Sequence, residues 1–250
     1  MKKIKILNSK VNVISFKNVI NLIDLELKKD WNDRNGRYIS LCNVHMCMEA
    51  YEDHNYCQIV NDSHLVLPDG KPLYWYQKLS GHKDSEHIRG TDLTFGLCNL
   101  SNKNNYSIGF YGSAPETLEN LKNNLKKLFP KLKINYLESP PFREITDLEN
   151  KLYIEKINNL KLDILFVGLG CPKQEIWMSL NAIKTNTIML GVGAAFDFIA
   201  KNKIEAPLFL QKIGLEWLFR MLSEPSRLWK RYLINNTKFI LYITLKFFRR

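Results

Sequence analysis

Apolar residues recur along the chain with two different periods, and the alternation between those periods sets the expected fold. Residues 1–35 read as one or two short strands and then an amphipathic helix carrying Val19, Leu22, Ile23, Leu25 and Leu27. Tyr38–Cys42 reads as a buried strand, followed by a single helix through about Val60. Ser107–Tyr111 is another short apolar strand, ending at Gly112-Ser113. Pro115 then opens a helix whose Leu118, Leu121, Leu125 and Leu128 fall at helical spacing, and Pro130 closes it. Lys133–Leu137 is a return strand. The order repeats in Asp163–Val167 (strand), Gly168-Leu-Gly170 (turn), Pro172–Ile183 (helix) and Thr187–Leu190 (strand). This alternation predicts an α/β fold with a parallel sheet covered on both faces. Ligands of such sheets bind beyond the carboxyl ends of the strands, where the glycine turns fall here.

Composition narrows the class. Apolar residues at 45% and charged residues at 24% of 250 exclude a wholly disordered or fibrous chain. No run of eighteen apolar residues occurs, so no conventional membrane-spanning helix is expected, and Met1-Lys-Lys-Ile-Lys-Ile lacks the apolar stretch of a secretory signal. Five scattered cysteines without a C-x-x-C pair fit a reducing cytosol and exclude a clustered cysteine zinc site.

Charge is uneven. Residues 201–250 hold eleven Lys/Arg against Glu205, Glu216 and Glu224, so +8 of the net +11 lies in the last fifth of the chain. Such a surface attracts phosphate, whether in nucleic acid, anionic lipid or a nucleotide. From Leu228 onward, aromatic and aliphatic bulk alternates with Arg231, Lys238 and Lys246, the composition of a helix lying in a membrane interface. The same text also suits a helix docked on the domain or on a second subunit of a homo-oligomer. No nucleic-acid-binding motif accompanies it, and no nucleic-acid partner is expected. The composition shift near Lys201–Pro207 divides the chain into a core, residues 1–202, and a basic, aromatic, helical appendage, residues 203–250.

Several stretches carry candidate chemistry. Val66-Leu-Pro-Asp69-Gly70 sets a carboxylate in a turn after an apolar segment, where it serves either as turn chemistry or as a base for an attacking hydroxyl. Arg89-Gly90-Thr91-Asp92 reads as a helix cap made by Thr91 or Asp92, or as a polar cluster for a ligand. Gly168-Leu-Gly170-Cys-Pro-Lys173-Gln174-Glu175 combines flexible glycines with a helix start that favours anions. Gly191-Val-Gly193-Ala-Ala-Phe196-Asp197 resembles a dinucleotide fingerprint, but Phe196 stands at the third glycine. Arg220, Arg227 and Arg231 share one face if the backbone is helical throughout, although Pro225 more naturally starts a new helix. Three such guanidiniums suit a diphosphate clamp or a solvated stripe. The five histidines form no H-E-x-x-H, and no serine elbow, P-loop or D-x-D pair occurs; Asp24-Leu-Glu26 comes nearest to a metal pair but lies in the first helix.

Taken in order, Asn43-Val-His45-Met, Leu67-Pro-Asp69-Gly70, Arg89-Gly-Thr-Asp92, Gly168 to Glu175, Gly191 to Phe198, Gly214 to Arg220 and Glu224 to Tyr232 resemble the WecG/TagA/CpsF family of bacterial glycosyltransferases. The resemblance implies a Rossmann-like core of the GT-E type and inverting transfer of a sugar from a UDP-sugar to a polyprenyl-diphosphate-linked saccharide. It further implies no essential metal or other cofactor, a place on the inner face of the cytoplasmic membrane, and a basic C-terminal appendage that completes the active site. It assigns Asp69 as the base, with Arg220, Arg227 and Arg231 (Lys230 as the alternative to Arg231) meeting the diphosphate; the helix end at Lys173, which favours anions, is expected to help them. Asp92, Gln174, Glu175 and Asp197 are assigned to sugar or nucleotide hydrogen bonds. Asn43, Arg89, Thr91, Gly168, Gly170 and Gly193 complete the candidate substrate site. Three departures stand out: Leu41 where relatives often carry Thr, with Ser40 or Cys42 as substitutes for it; Ala200-Lys201 for Ala-Gly; and Glu205-Ala-Pro207 for Arg-Ala-Pro. Two rival classes are a Rossmann oxidoreductase and a non-enzymatic lipid- or nucleic-acid-binding module.

Overall fold

The computed structural model describes residues 1–248, apart from the side chains of Arg231, Phe247 and Phe248. It opens with an antiparallel hairpin of β1 (Lys3–Ile6) and β2 (Ser9–Asn12). Ser15 caps α1 (Phe16–Leu27), which buries Val19, Ile23 and Leu27 but leaves Leu25 62% exposed, so its apolar stripe is narrower than the sequence implies. β3 (Arg37–Cys42) follows. The single helix expected after it is two, α2 (Val44–Glu52) and α3 (His54–Asp62). Asp53 divides them: its carboxylate accepts from the backbone N–H of Asn55 and Tyr56 and starts a new helix.

Next come β4 (Leu65–Pro68), α4 (Lys71–Leu79), α5 (Gly90–Asn104), β5 (Ser107–Gly112), α6 (Pro115–Leu128) and β6 (Lys133–Glu138). Leu118, Leu121 and Leu125 of α6 are buried, whereas Leu128 is 61% exposed in its last turn. α7 (Asp147–Asn159) starts on a capping box between Thr146 and Glu149. β7 (Ile164–Gly168), α8 (Lys173–Asn181), β8 (Ile188–Gly191) and α9 (Ala195–Ile199) complete the core. α10 (Leu208–Ile213), α11 (Glu216–Ser223) and α12 (Pro225–Phe248) form the C-terminal segment.

The architecture is α/β, as the alternation of periods predicts. Six parallel strands stand in the order β4-β3-β8-β7-β5-β6, and the hairpin lies beside β4, where Asn12 Oδ1 accepts from the Val66 amide at 2.8 Å. Successive side chains pass to opposite faces: Phe110, Phe166 and Leu190 point to one apolar layer, and Tyr111, Leu165, Val167 and Met189 to another. Helices α1, α5, α6 and α9 cover the first layer. The C-terminal helix is not free. α12 packs against α2, with Phe239 buried in a third apolar cluster beside Met46 and Cys47. No helix among the described residues is long and apolar enough to cross a membrane.

Candidate active site

The carboxyl ends of β3, β4 and β8 meet at one edge of the sheet. β3 delivers Asn43, whose Oδ1 accepts from the Met46 amide and caps α2. β4 delivers Asp69, fixed beside it because the Asp69 amide donates to the Cys42 carbonyl at 2.8 Å. Two adjoining hollows open here. The first, about 720 Å³ including space open to solvent, is walled by His45, Lys71, His87, Gly214, Trp217, Tyr232 and Asn236. The second, about 660 Å³, lies over the glycine turns and is walled by Leu41, Arg89, Thr91, Gly170, Gln174, Gly193 and Phe198. Asn43, Asp69, Glu216 and Arg220 belong to both.

Asp69 therefore stands where the hollows join. Although one side of the residue faces the cleft, protein surrounds its carboxyl, and that burial pushes its pKa up to about 7. Glu216 adds repulsion in the same direction, while Arg220, Arg89 and a hydrogen bond from Asn43 pull the other way. A carboxyl poised near 7 suits a general base. Arg89 is a junction: its guanidinium lies 3.2 Å from Glu216, 3.6 Å from Glu205 and 3.3 Å from Asp92. Burial works against its charge, but these carboxylates more than compensate and raise its pKa. Arg220 Nε is buried without a hydrogen-bond partner among the described residues, and its guanidinium lies over the Phe198 ring. Burial, then Lys71 and Arg89, lower the His87 pKa to about 4, so its imidazole faces the first hollow neutral. Among the described residues no group of three or more His, Cys, Asp or Glu could hold a metal.

The structure brings together Asn43, Asp69, Arg89, Thr91, Gly170, Gln174, Gly193 and Arg220. Other candidates fall elsewhere. Glu175 is fully buried, accepting from Tyr56 Oη at 2.9 Å and from Gln174 Nε2 at 2.7 Å, so it orients Gln174 rather than reaching a ligand. Gln174 Oε1 in turn accepts from the Gly170 amide at 3.2 Å. Gly168 serves packing: a Cβ there would meet the Phe196 ring at 2.6 Å. Phe196 thus replaces the fingerprint's third glycine because its ring fills the space above the first turn. Lys173 is exposed and outside both walls. Asp197 pairs with Lys203 at 3.0 Å, and Asp92 with Arg89, neither lining a hollow. Arg89 itself is the N-cap residue of α5, and neither Thr91 nor Asp92 caps it.

The continuous helix that would set Arg220 on one face with Arg227 and Arg231 does not form. α11 ends at Ser223 and Pro225 begins α12, so Arg220 turns to the cleft while Arg227 pairs with Glu224 at 2.7 Å. The candidate side chain of Arg231 lies outside the described residues. Sequence reasoning missed His87, Trp217, Tyr232 and Asn236 as wall residues. Tyr232 and Asn236 stand four apart on one helix, a spacing that puts both on one face. His87 gave no comparable signal.

The sequence profile described as Glycosyl transferase WecG/TagA/CpsF family matches residues 4–250. This chain belongs to that family. It is accordingly a glycosyltransferase, and the oxidoreductase and non-enzymatic readings fall away. Among its relatives is the N-acetylglucosaminyldiphosphoundecaprenol N-acetyl-beta-D-mannosaminyltransferase of Bacillus subtilis strain 168, 26% identical over 86% of this chain and 82% of that one. The same-named enzyme of Bacillus spizizenii W23 is 28% identical over 86% and 85% of the two chains. That of Staphylococcus aureus MW2 is 25% identical over 79% and 74%.

In this WecG/TagA/CpsF member the three departures have structural consequences. Leu41 presents its side chain to the second hollow, so an apolar group stands where the resemblance implies a threonine. Ser40 and Cys42 do not replace it, because strand alternation turns them to the other face: Ser40 Oγ is 2.7 Å from Ser63 Oγ, and Cys42 Sγ is 3.5 Å from Cys47 Sγ. Lys201 adopts φ 61°, a conformation that glycine takes more readily. Glu205 places a carboxylate on Arg89.

Proposed function

We propose that this glycosyltransferase moves a sugar, with inversion, from a UDP-sugar to a polyprenyl-diphosphate-linked saccharide at the inner face of the cytoplasmic membrane. The carrying observation is the position of Asp69, a buried carboxyl with a raised pKa at the junction of two hollows. The second hollow, over the glycine turns, is the donor side; the first is the acceptor side. The acceptor hydroxyl attacks the anomeric carbon from the face opposite the diphosphate as Asp69 takes its proton. The anomeric C–O bond breaks and its electron pair leaves with UDP. Arg220, its Nε without an acceptor among the described residues, is aimed where that charge develops, and a preorganised cation acts strongly there. No step calls on a metal ion.

The relatives' names carry a diphosphoundecaprenol-linked N-acetylglucosamine acceptor and an N-acetylmannosaminyl group, which supports this reading and orders the first assays. A panel of UDP-sugars headed by the N-acetylmannosamine derivative, incubated with a lipid-linked N-acetylglucosamine acceptor in EDTA, should yield the disaccharide mass. No new product from any pair, with or without a divalent ion, would refute the assignment.

A further inference from the structure

Two short helices beside the first hollow carry an apolar surface that the core leaves uncovered. On α4, Trp75 and Leu79 are 43% and 82% exposed, while Leu73, Tyr76 and Gln77 point inward. On α10, Leu208, Phe209 and Ile213 are 72%, 62% and 54% exposed. The helices adjoin: Gly214, which ends α10 at φ 79°, lies so close over Trp75 that a Cβ there would come within 2.4 Å of the ring. α10 is about 9 Å long, so its exposed residues stay near that contact.

Charge fits the same side. Lys71 and Lys78 hold their ammonium groups 5.2 and 5.5 Å from the Tyr74 ring, Lys78 also donating to the Lys83 carbonyl, and Lys212 is exposed on α10. Neither helix contains an acid. On α12, by contrast, Lys238 reaches Glu52 at 2.7 Å and Lys246 donates to the Leu7 carbonyl, so two of its cations serve docking. Gly70, Lys71, Pro72 and Gly214 belong to the wall of the first hollow, which makes α4 and α10 its rim.

We propose that α4 and α10 together form the surface that lies on an anionic bilayer, with the mouth of the first hollow at headgroup level. Large apolar side chains enter the interface while lysines meet phosphate headgroups. The inference deepens the reading above by moving the membrane contact from the outer face of α12 to a core helix and the first appendage helix. A lipid-linked sugar then reaches Asp69 without leaving its leaflet.

The test uses the full chain and flotation with vesicles of phosphatidylglycerol and phosphatidylethanolamine, against phosphatidylcholine alone. The double variant Leu79→Glu/Phe209→Glu should lose about tenfold or more of its partition into anionic vesicles. It should still turn over a short-chain, water-soluble acceptor like the parent. Ile240→Glu/Leu241→Glu, on the outer face of α12, should float as the parent does. Normal flotation of the first variant, loss confined to the second, or a change only in oligomeric mass (a second copy covering the face) would each overturn the proposal. Flotation needs no substrate, so its outcome stands even if no acceptor is turned over.

Discussion

The carboxyl-end turns of the sheet and the C-terminal helices supply opposite walls of one cleft, yet different forces hold them. Behind Asp69, the strands are sealed by Leu67, Leu190 and Phe196, all essentially inaccessible. α10 and α11 bury no residue at all. They are tied down by ion pairs: Lys203 to Asp197 and Glu224, and Arg89 to Glu205 and Glu216. Partly exposed pairs contribute roughly 0–1 kcal/mol each, far less than burial of a large apolar side chain. Only α12 inserts large apolar groups, Leu228 and Phe239. The proposed proton acceptor, Asp69, thus sits on the rigid wall, and Arg220, proposed to stabilise the developing charge, on the looser one. Activity should depend on both walls, fold stability mainly on one.

The sharpest break in that comparison is Asp69→Asn. Loss of a general base should lower kcat by about 10²–10⁴. Folding should not suffer. Because the Asp69 pKa is raised to about 7, this group favours the folded state fully only below the ordinary carboxylate range, and that contribution is lost as pH rises through about 7. The variant should therefore melt above the parent at pH 8 and level with it near pH 4; a lower melting point at pH 8 would contradict the burial argument. Arg220→Ala comes next, with a loss of about 10²–10³ in kcat from the proposed contact with the developing charge, and it should also make Asp69 harder to ionise. Turnover within a factor of about three of the parent would remove Arg220 from the mechanism.

Phe239→Ala tests how the looser wall is attached. A buried Phe typically contributes about 3–5 kcal/mol. Here the cost should appear as local release of α12, seen as faster amide exchange in residues 225–248 and on the facing side of α2. The main melting transition should move little. Phe110→Ala, in the sheet layer, should lower that transition by the full amount instead.

The strands and the place of Asp69 at a strand end were legible because each depends on neighbours in sequence: an apolar run, then Asp-Gly. What escaped depends on distant partners. Glu175 in a first helical turn reads as a ligand-facing acid until Tyr56, 119 residues earlier, closes on it. The expected long helix after β3 fails at Asp53, a cap whose side chain competes with the interior of a helix. α4 went unnoticed because Lys-Pro-Leu-Tyr-Trp-Tyr-Gln-Lys-Leu buries only Leu73, Tyr76 and Gln77, and exposes the aromatic that periodicity would send inward. Arg220 and Arg227 part company at Pro225, as the sequence allowed, but which of them meets Asp69 needed the fold.

The smallest effect lies between the walls, at Glu216. Its carboxylate is 3.2 Å from Arg89 and lines both hollows, and its charge helps keep Asp69 protonated. The base works only when ionised, so turnover should fall as pH drops through about 7. In Glu216→Gln the repulsion is gone while Arg89 and Arg220 remain, so Asp69 ionises more readily and the acid limb of kcat/KM should move to lower pH. The plateau should change little, because the variant keeps both the base and the cations. Glu216→Asp, which retains the charge, should keep the limb near its parental position. A purely structural Glu216 would instead lower the rate equally at every pH, and a limb unmoved in Glu216→Gln would mean that the two walls are not electrostatically joined at Asp69.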